Sequence, residues 1–283
     1  MKIATGLPTA IPNTSGTVFM EWARRAEQAE FSSLGTIGRT VFDSHEELIA
    51  LAGAAAVTER IGLMTTVLLG PPRDPVLLAK QAATLDSLSG GRFSLGLGIG
   101  WRQDEFVAHG CPKRFGRRGD YLEEQIKVFR QIWSGQNFEG FNYPVGPKAS
   151  PTLILSGRAE AAVRRAGRLA DGFIAAPANL EDTRLQFEWV REEWQKAGRS
   201  GSPRLYASRY FAIGQTELAN QNMATYYEAA GPDFIKMMHG WVMRDADQVR
   251  RAVDDMREAG AEELFFWPSL NDPSQVERLK EVL

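Results

Sequence analysis

The sequence predicts an α/β fold, and within that class a closed (β/α)8 barrel, the TIM-barrel architecture. Three observations carry this expectation. Eight apolar runs of strand length alternate with segments patterned as helices along the 283 residues. The runs lack the polar–apolar alternation of a half-exposed sheet, as strands covered on both faces do. No linker or shift in composition breaks the series, so one domain over residues 1–283 is expected. A doubly wound open sheet is the rival, but eight repeats closed by a last helix fit a ring better.

The first strand is expected at residues 3–7, closed by Pro8, and a helix at 18–30 with Phe19, Trp22, Ala23 and Ala26 on one face. The second strand is 32–38. Asp43 or Ser44 is placed to cap a helix reaching about residue 58, with Glu46 and Glu47 favourable in its electropositive first turn. The third strand spans 61–69. Asp74–Pro75 is a cap followed by proline at the first helical position. That helix carries Leu77, Leu78, Ala82, Leu85 and Leu88 and stops at Gly90–Gly91. The fourth strand is 93–100, followed by a polar loop over 101–117 and a helix carrying Leu122, Ile126, Phe129 and Trp133. Residues 134–151, rich in glycine and proline, read as an excursion. Strand five is 152–155, with a helix from about Arg158; strand six is 173–176, with a helix carrying Phe187, Val190 and Trp194. Strand seven is 205–213. Residues 216–243 mix helical pieces with aromatic and methionine clusters and have no single assignment. A helix at 245–259, strand eight at 264–267 and a second cap-plus-proline start at Asp272–Pro273 close the chain.

Composition excludes several function classes. Lys+Arg 33 against Asp+Glu 35 leaves a net charge of −2, with no broad attraction to nucleic acid or an anionic membrane. A single cysteine excludes an internal disulfide and any CxxC site. The three histidines, His45, His109 and His239, lack i, i+4 spacing, so no zinc HExxH motif exists and no metal is expected. No apolar run is long enough to span a membrane, and the N-terminus has no signal-peptide pattern, so a cytoplasmic protein is expected.

In a barrel of this kind the active site lies where the strands end. Leu155-Ser156-Gly157-Arg158 is a strand end followed at once by a helix. Free N–H groups there, with Arg158, suit a phosphate; an ordinary capped turn is the alternative. Gly96, Gly98 and Gly100 do not form a dinucleotide fingerprint, because Trp101 stands where the last glycine is needed. Alternating glycines leave one face of the strand flat, either for a planar ring or for tight packing. Arg39 follows strand two and is a candidate contact for an anionic group. His109 beside Cys111 has no recognised nucleophile geometry. Met237, Met238, His239 and Trp241 form either a substrate-pocket wall or a helix packed on the barrel. No acid or base stands out, so the catalytic residues are left unassigned.

The run 78–101, LAKQAATLDSLSGGRFSLGLGIGW, strongly resembles the luciferase-like flavin monooxygenase family. So do VTERIGL at 57–63, RGDYLEEQ at 118–125, RLADGF at 168–173 and the closing unit 247–266, so the likeness spans nearly the whole chain. The resemblance implies a TIM barrel using reduced FMN with O2, or the deazaflavin F420 without it. It implies a non-prolyl cis peptide at Thr66–Val67 behind the flavin ring, and a flavin phosphate near Ser156, Gly157, Arg158 and Ala176. The ring is then expected against Thr66, Val67 and the strand-four glycines, including Gly100. Arg39, Trp101, His239 and Trp241 are the expected substrate-pocket residues. The sequence departs from F420-dependent sugar dehydrogenases, with Gly38-Arg39-Thr40 where they carry an Asp-His motif and Trp101 where they carry a carboxylate. His45 does not match the luciferase histidine in register. The expected activity is oxygenation of a small organic substrate. An F420-dependent hydride transfer and a flavin-binding protein without turnover are the alternatives. With no nicotinamide fingerprint, a separate flavin reductase is the expected electron donor. Homodimerisation is implied by the resemblance alone.

Overall fold

A strand covered on both faces must be apolar throughout, and the chain's apolar runs are arranged accordingly. The computed structural model describes residues 1–140 and 142–283. Its strands are β1 (Lys2–Gly6), β2 (Ser33–Thr36), β3 (Gly62–Thr65), β4 (Leu68–Leu69), β5 (Phe93–Gly98), β6 (Thr152–Ser156), β7 (Gly172–Ile174), β8 (Arg204–Phe211), β9 (Val242–Met243) and β10 (Glu263–Pro268). The ring closes because β10 pairs in parallel with both β1 and β8. β3 and β4 together form one stave beside β5, which leaves eight staves, while β9 pairs only with the end of β8. The expected (β/α)8 barrel is therefore the fold.

The helices are α1 (Gly16–Gln28), α2 (Glu47–Ala56), α3 (Pro75–Leu88), α4 (Gln103–Ala108), α5 (Arg118–Trp133), α6 (Glu160–Leu169), α7 (Leu180–Lys196), α8 (Thr216–Tyr227), α9 (Pro232–His239), α10 (Ala246–Ala259) and α11 (Gln275–Val282). The period-two rule divides each strand between two cores. Leu63, Leu95, Leu97, Leu155, Phe173, Leu264 and Phe266 meet the helices through Trp22, Phe129 and Phe187. Ala4, Met64, Ile154, Ile174, Tyr206, Phe265 and Trp267 fill the barrel interior.

Caps at Asp74 and Asp245 stand as their residue types predict, each accepting from the backbone N–H three residues on. Three expectations need correction. The helix expected from Asp43 or Ser44 begins at Glu47, capped by the Glu46 carboxylate, which accepts from the Ile49 N–H. Asp43 instead accepts from the Asn13 N–H, and the Ser44 hydroxyl donates to the Arg39 carbonyl. The loop expected over 101–117 contains α4 and a 3-10 helix at Pro112–Arg117, packed through Phe106 against Phe115. The unassigned segment 216–243 is α8, a 3-10 turn, α9 and β9. The excursion at 134–151 carries no helix or strand among its described residues; residue 141 lies outside them.

The third stave is broken between Thr65 and Leu68, and the fourth strand is built to receive the break. A Cβ on Gly96 would lie 1.9 Å from the Thr65 carbonyl oxygen, and one on Gly98 would lie 2.9 Å from the Val67 side chain. The Thr65 hydroxyl bonds the Gly96 carbonyl at 2.7 Å and accepts from the Gly96 N–H at 2.8 Å. Of the two readings of these glycines, close packing accounts for both, against the Thr65 backbone at Gly96 and against the Val67 side chain at Gly98. Gly96→Ala should lose about 3 kcal/mol or more of stability in urea unfolding, because the neighbour in the way is backbone. Gly116→Ala, with nothing within 4 Å of the added carbon, is the control and should change little. Equal midpoints for the two variants would remove this account of the glycine strand.

Candidate active site at the barrel mouth

The strand ends surround a cavity of about 240 Å³. Its floor and walls come from the staves: Arg39 after β2, Thr66 and Val67 after β3, Gly100 and Trp101 after β5, Ser156 and Arg158 after β6, and Ala176 after β7. Its cover comes from α8 and α9 through Tyr226, Tyr227 and Phe234.

The Thr66–Val67 peptide is cis. Thr66 is fixed from two sides: its hydroxyl donates to the Thr36 carbonyl at 3.0 Å and accepts from the Trp267 indole N–H at 3.0 Å. Gly35 makes this possible, since a Cβ there would lie 2.9 Å from the Thr66 hydroxyl. Gly100, at φ 73°, adopts a left-handed backbone that suits glycine, and its added carbon would meet only ordinary contacts. Ser156 donates to the Ile174 carbonyl at 2.8 Å, which ties the end of β6 to the end of β7. Gly157 packs onto the first turn of α6, where an added Cβ would lie 2.5 Å from the Ala162 Cβ. The N-cap of α6 is Ala159, which supplies no side-chain acceptor, so the first N–H groups of that helix keep their capacity for a ligand. Arg158 is exposed and makes no hydrogen bond among the described residues.

Arg39 stands in an aromatic cage. Its guanidinium carbon lies 4.3 Å from the Tyr226 ring centroid, 5.2 Å from Trp101 and 5.4 Å from Tyr227. One of its terminal nitrogens is buried without a partner. Tyr210 and Tyr227 share a hydrogen bond of 2.7 Å, and burial pushes both hydroxyls up, so they stay neutral at ordinary pH.

Glu105 is the functional candidate that the sequence reading missed. It is 1% exposed and lines the cavity. Oε2 accepts from the Thr40 N–H at 2.8 Å, while Oε1 is buried with no partner. Its concealment in a stretch read as a loop is physical: α4 has six residues, too short for apolar periodicity to register. The adjacent Phe106 was the available signal. Beside it lies a charged cluster. Arg73 reaches Glu46 at 2.7 Å and Glu47 at 3.0 Å, and Glu47 is 3% exposed, against Gly38. Burial pushes the Glu47 carboxyl up; Arg73 opposes this, and Glu46 and Glu105 add to it.

Of the residues expected to form the site, Thr66, Val67, Gly100, Ser156, Arg158, Ala176, Arg39 and Trp101 meet around this one cavity, with Gly157 in the turn between two of them. His239 and Trp241 do not join them. The His239 ring pairs with the Asn220 carbonyl at 3.1 Å, and Trp241 lies over Arg209 in a second cavity outside the barrel wall. Trp241 also packs against the barrel-interior cluster without lining the mouth cavity. His109 and Cys111 make no pair: the histidine bonds the Thr40 hydroxyl at 2.8 Å, and the thiol faces the Pro72 carbonyl.

A family model described as luciferase-like monooxygenase matches residues 3–265. An uncharacterized protein of Mycobacterium tuberculosis is 35% identical over 191 residues, covering 60% of this chain and 67% of its own length. The pyrimidine monooxygenase RutA of Variovorax paradoxus is 36% identical over 150 residues, 47% of this chain and 40% of its own. Among solved structures, an F420-dependent secondary alcohol dehydrogenase superposes with a TM-score of 0.80 at 18% identity, covering 100% of this chain and 98% of that one. The monooxygenase RslO1 of Streptomyces bottropensis superposes at 0.79 with 20% identity, covering 100% and 97%. At these identities the structural likeness shows the fold. Among the described residues no helix is long and apolar enough to cross a membrane.

Arg73 is shared by two carboxylates, Glu46 and Glu47, and burial raises the proton affinity of Glu47. A carboxyl whose folded-state affinity for protons is raised contributes stability below its unfolded value, near 4.5, and loses it as the pH rises through the folded value. Glu47→Gln removes that loss. Its melting temperature relative to the unaltered protein should therefore climb as the pH is raised from 4.5 to 7. A difference that stays flat over this range would mean that Arg73 keeps Glu47 ionised.

Proposed function

The chain belongs to the luciferase-like monooxygenase family, a family of enzymes, and on that premise we propose that it oxygenates a small organic substrate with reduced FMN and O2. The observation that carries this reading is the single cavity into which both Ser156–Arg158 and Thr66–Val67 open.

The residues fit the cofactor. Arg158, the Gly157 turn and the uncapped start of α6 suit a phosphate. Thr66, Val67 and Gly100 offer a wall for a flat ring, with Thr66 held rigid by Trp267 and Thr36. When bound, reduced FMN supplies the electrons and the reaction with O2. The protein supplies position and dryness. Tyr226, Tyr227, Phe234 and Trp101 cover the cavity and keep water out. Arg39 and Glu105 supply recognition: a caged cation that donates, and a buried carboxylate oxygen free to accept. The matching substrate carries a carbonyl for Arg39 and an N–H for Glu105, the edge of an amide or a lactam. This agrees with the word pyrimidine in the RutA name, which describes that relative.

With no nicotinamide fingerprint in the sequence, the reduced flavin comes from a separate reductase. The homodimer implied by the family has a candidate face on α2 and α3, where Ile49, Leu77 and Leu88 are exposed together.

Fluorescence titration with oxidised and reduced FMN and F420 tests the cofactor. Reduced FMN should bind, and Arg158→Ala should weaken it roughly tenfold or more, as loss of a charge-assisted phosphate contact does. Selective binding of F420 would replace oxygenation by hydride transfer. Reoxidation of bound flavin at its free-solution rate, whatever substrate is added, would leave a flavin carrier without turnover. Glu105→Gln and Arg39→Met should each keep flavin binding and lower turnover of an amide substrate, since neither residue stands at the phosphate end. Loss of flavin binding in both would instead place them at the cofactor.

A further inference from the structure

A second cavity, of about 350 Å³, lies outside the barrel wall between β8, β9, α10 and the start of α7. It is separate from the mouth. Ala176 and Pro177 line the mouth cavity, whereas Asn179 and Leu180 line this one.

The cavity follows from two features of the strands. β7 is three residues long and its ladder with β8 ends at Tyr206; β9 takes up that edge of β8 only at Tyr210. Arg209 falls in the gap. On the outward face of β8, Leu205, Ala207 and Phe211 pack into the helix-side core, and Arg209 stands where the pattern predicts another apolar residue. It is 3% exposed. One terminal nitrogen donates to the neighbouring Ser208 carbonyl at 2.8 Å, and no carboxylate reaches it within ion-pair distance among the described residues. The Trp241 ring lies 5.1 Å from its guanidinium carbon. A guanidinium so desolvated is costly without an anion; burial pushes it down to about 10, opposed only by Asp255.

Two more guanidinium groups line the same space. Arg244 holds the carbonyls of Val242 and His239 and the Asn220 amide oxygen, and its Nε is buried with no partner. Arg251 approaches from α10 and is exposed. Asp255 is the one carboxylate among the lining residues. Three positive groups against one negative leave two positive charges. Leu180, Trp241, Met243 and Ala252 supply apolar wall, and the space exceeds what a bare oxyanion fills.

We propose that this cavity binds a small organic phosphomonoester as its dianion, at a site independent of the flavin reading. The dianion balances the two uncompensated charges, planar guanidinium groups match its oxygens two at a time, and Trp241 covers the organic part.

Calorimetric titration with phenyl phosphate and with inorganic phosphate tests this, against sodium chloride at equal ionic strength. Phenyl phosphate should bind at least as tightly as inorganic phosphate. Arg209→Met should abolish binding, and Arg251→Ala should weaken it roughly tenfold, the loss of one charge-assisted contact. Phosphate binding that survives Arg158→Ala, which removes any anion held at the mouth, should be the binding that Arg209→Met abolishes. Arg251 is exposed, so its variant decides the matter if Arg209→Met fails to fold. Binding lost only in Arg158→Ala would place the anion at the mouth and overturn the proposal. No binding at millimolar phosphate, or an equal response to chloride, would overturn it as well, and would leave Arg209 a structural cation held by Trp241 and the field of Asp255.

Discussion

The site depends on one close approach, that of the segment after the third strand to the bare face of the fourth. Without side chains at Gly96 and Gly98, the backbone around Thr65–Val67 sits against β5, bridged by the Thr65 hydroxyl. Thr66 and Val67, which line the mouth, are referenced to that contact. Thr66 takes its position from Thr36 on one side and Trp267 on the other, so the second, third and last staves are registered against one another at a single hydroxyl. Gly35 repeats the device on a smaller scale, being empty where Thr66 must lie.

Charge is handled differently at three arginines. Arg39 at the mouth has rings instead of a carboxylate, which leaves its donors to whatever enters. Arg73 has two carboxylates within reach and leaves them a charge too many. Arg209 has neither a carboxylate within ion-pair distance nor more than one hydrogen bond. A paired cation consumes its own binding capacity; the first and third of these arginines keep theirs.

The barrel was legible because both faces of each strand are covered, so apolar runs and helix patterns alternate openly along the chain. Caps were legible where the residue type and the local geometry agreed, as at Asp74 and Asp245. At the second helix they did not agree, because Asp43 and Ser44 were engaged by Asn13 and the Arg39 carbonyl, and the task fell to Glu46. Most of the expected mouth residues were found as strand ends, the phosphate turn among them, with the cis bond supplied by the family resemblance. Glu47 and Glu105 escaped for opposite reasons. Glu47 read as a favourable charge in a positive first turn and is buried against Gly38, which leaves room for it. Glu105 lies on a helix too short to announce itself. His239 and Trp241 were grouped by proximity in sequence, in a segment whose pattern did not say which side chains face the cavity.

The cover over the mouth is joined to the barrel at few points. Asn222 donates to the Ser269 carbonyl, Tyr227 meets Tyr210, and Arg244 fastens the return to β9. The other walls of the cavity belong to the staves, the segments just after them and α4. A cap inserted whole between two staves behaves as a cassette: drift or recombination within residues 216–241 reshapes the cover of the mouth while the barrel beneath it is inherited intact. Divergence of substrate range within such a lineage should therefore concentrate in this insertion rather than spread evenly around the ring.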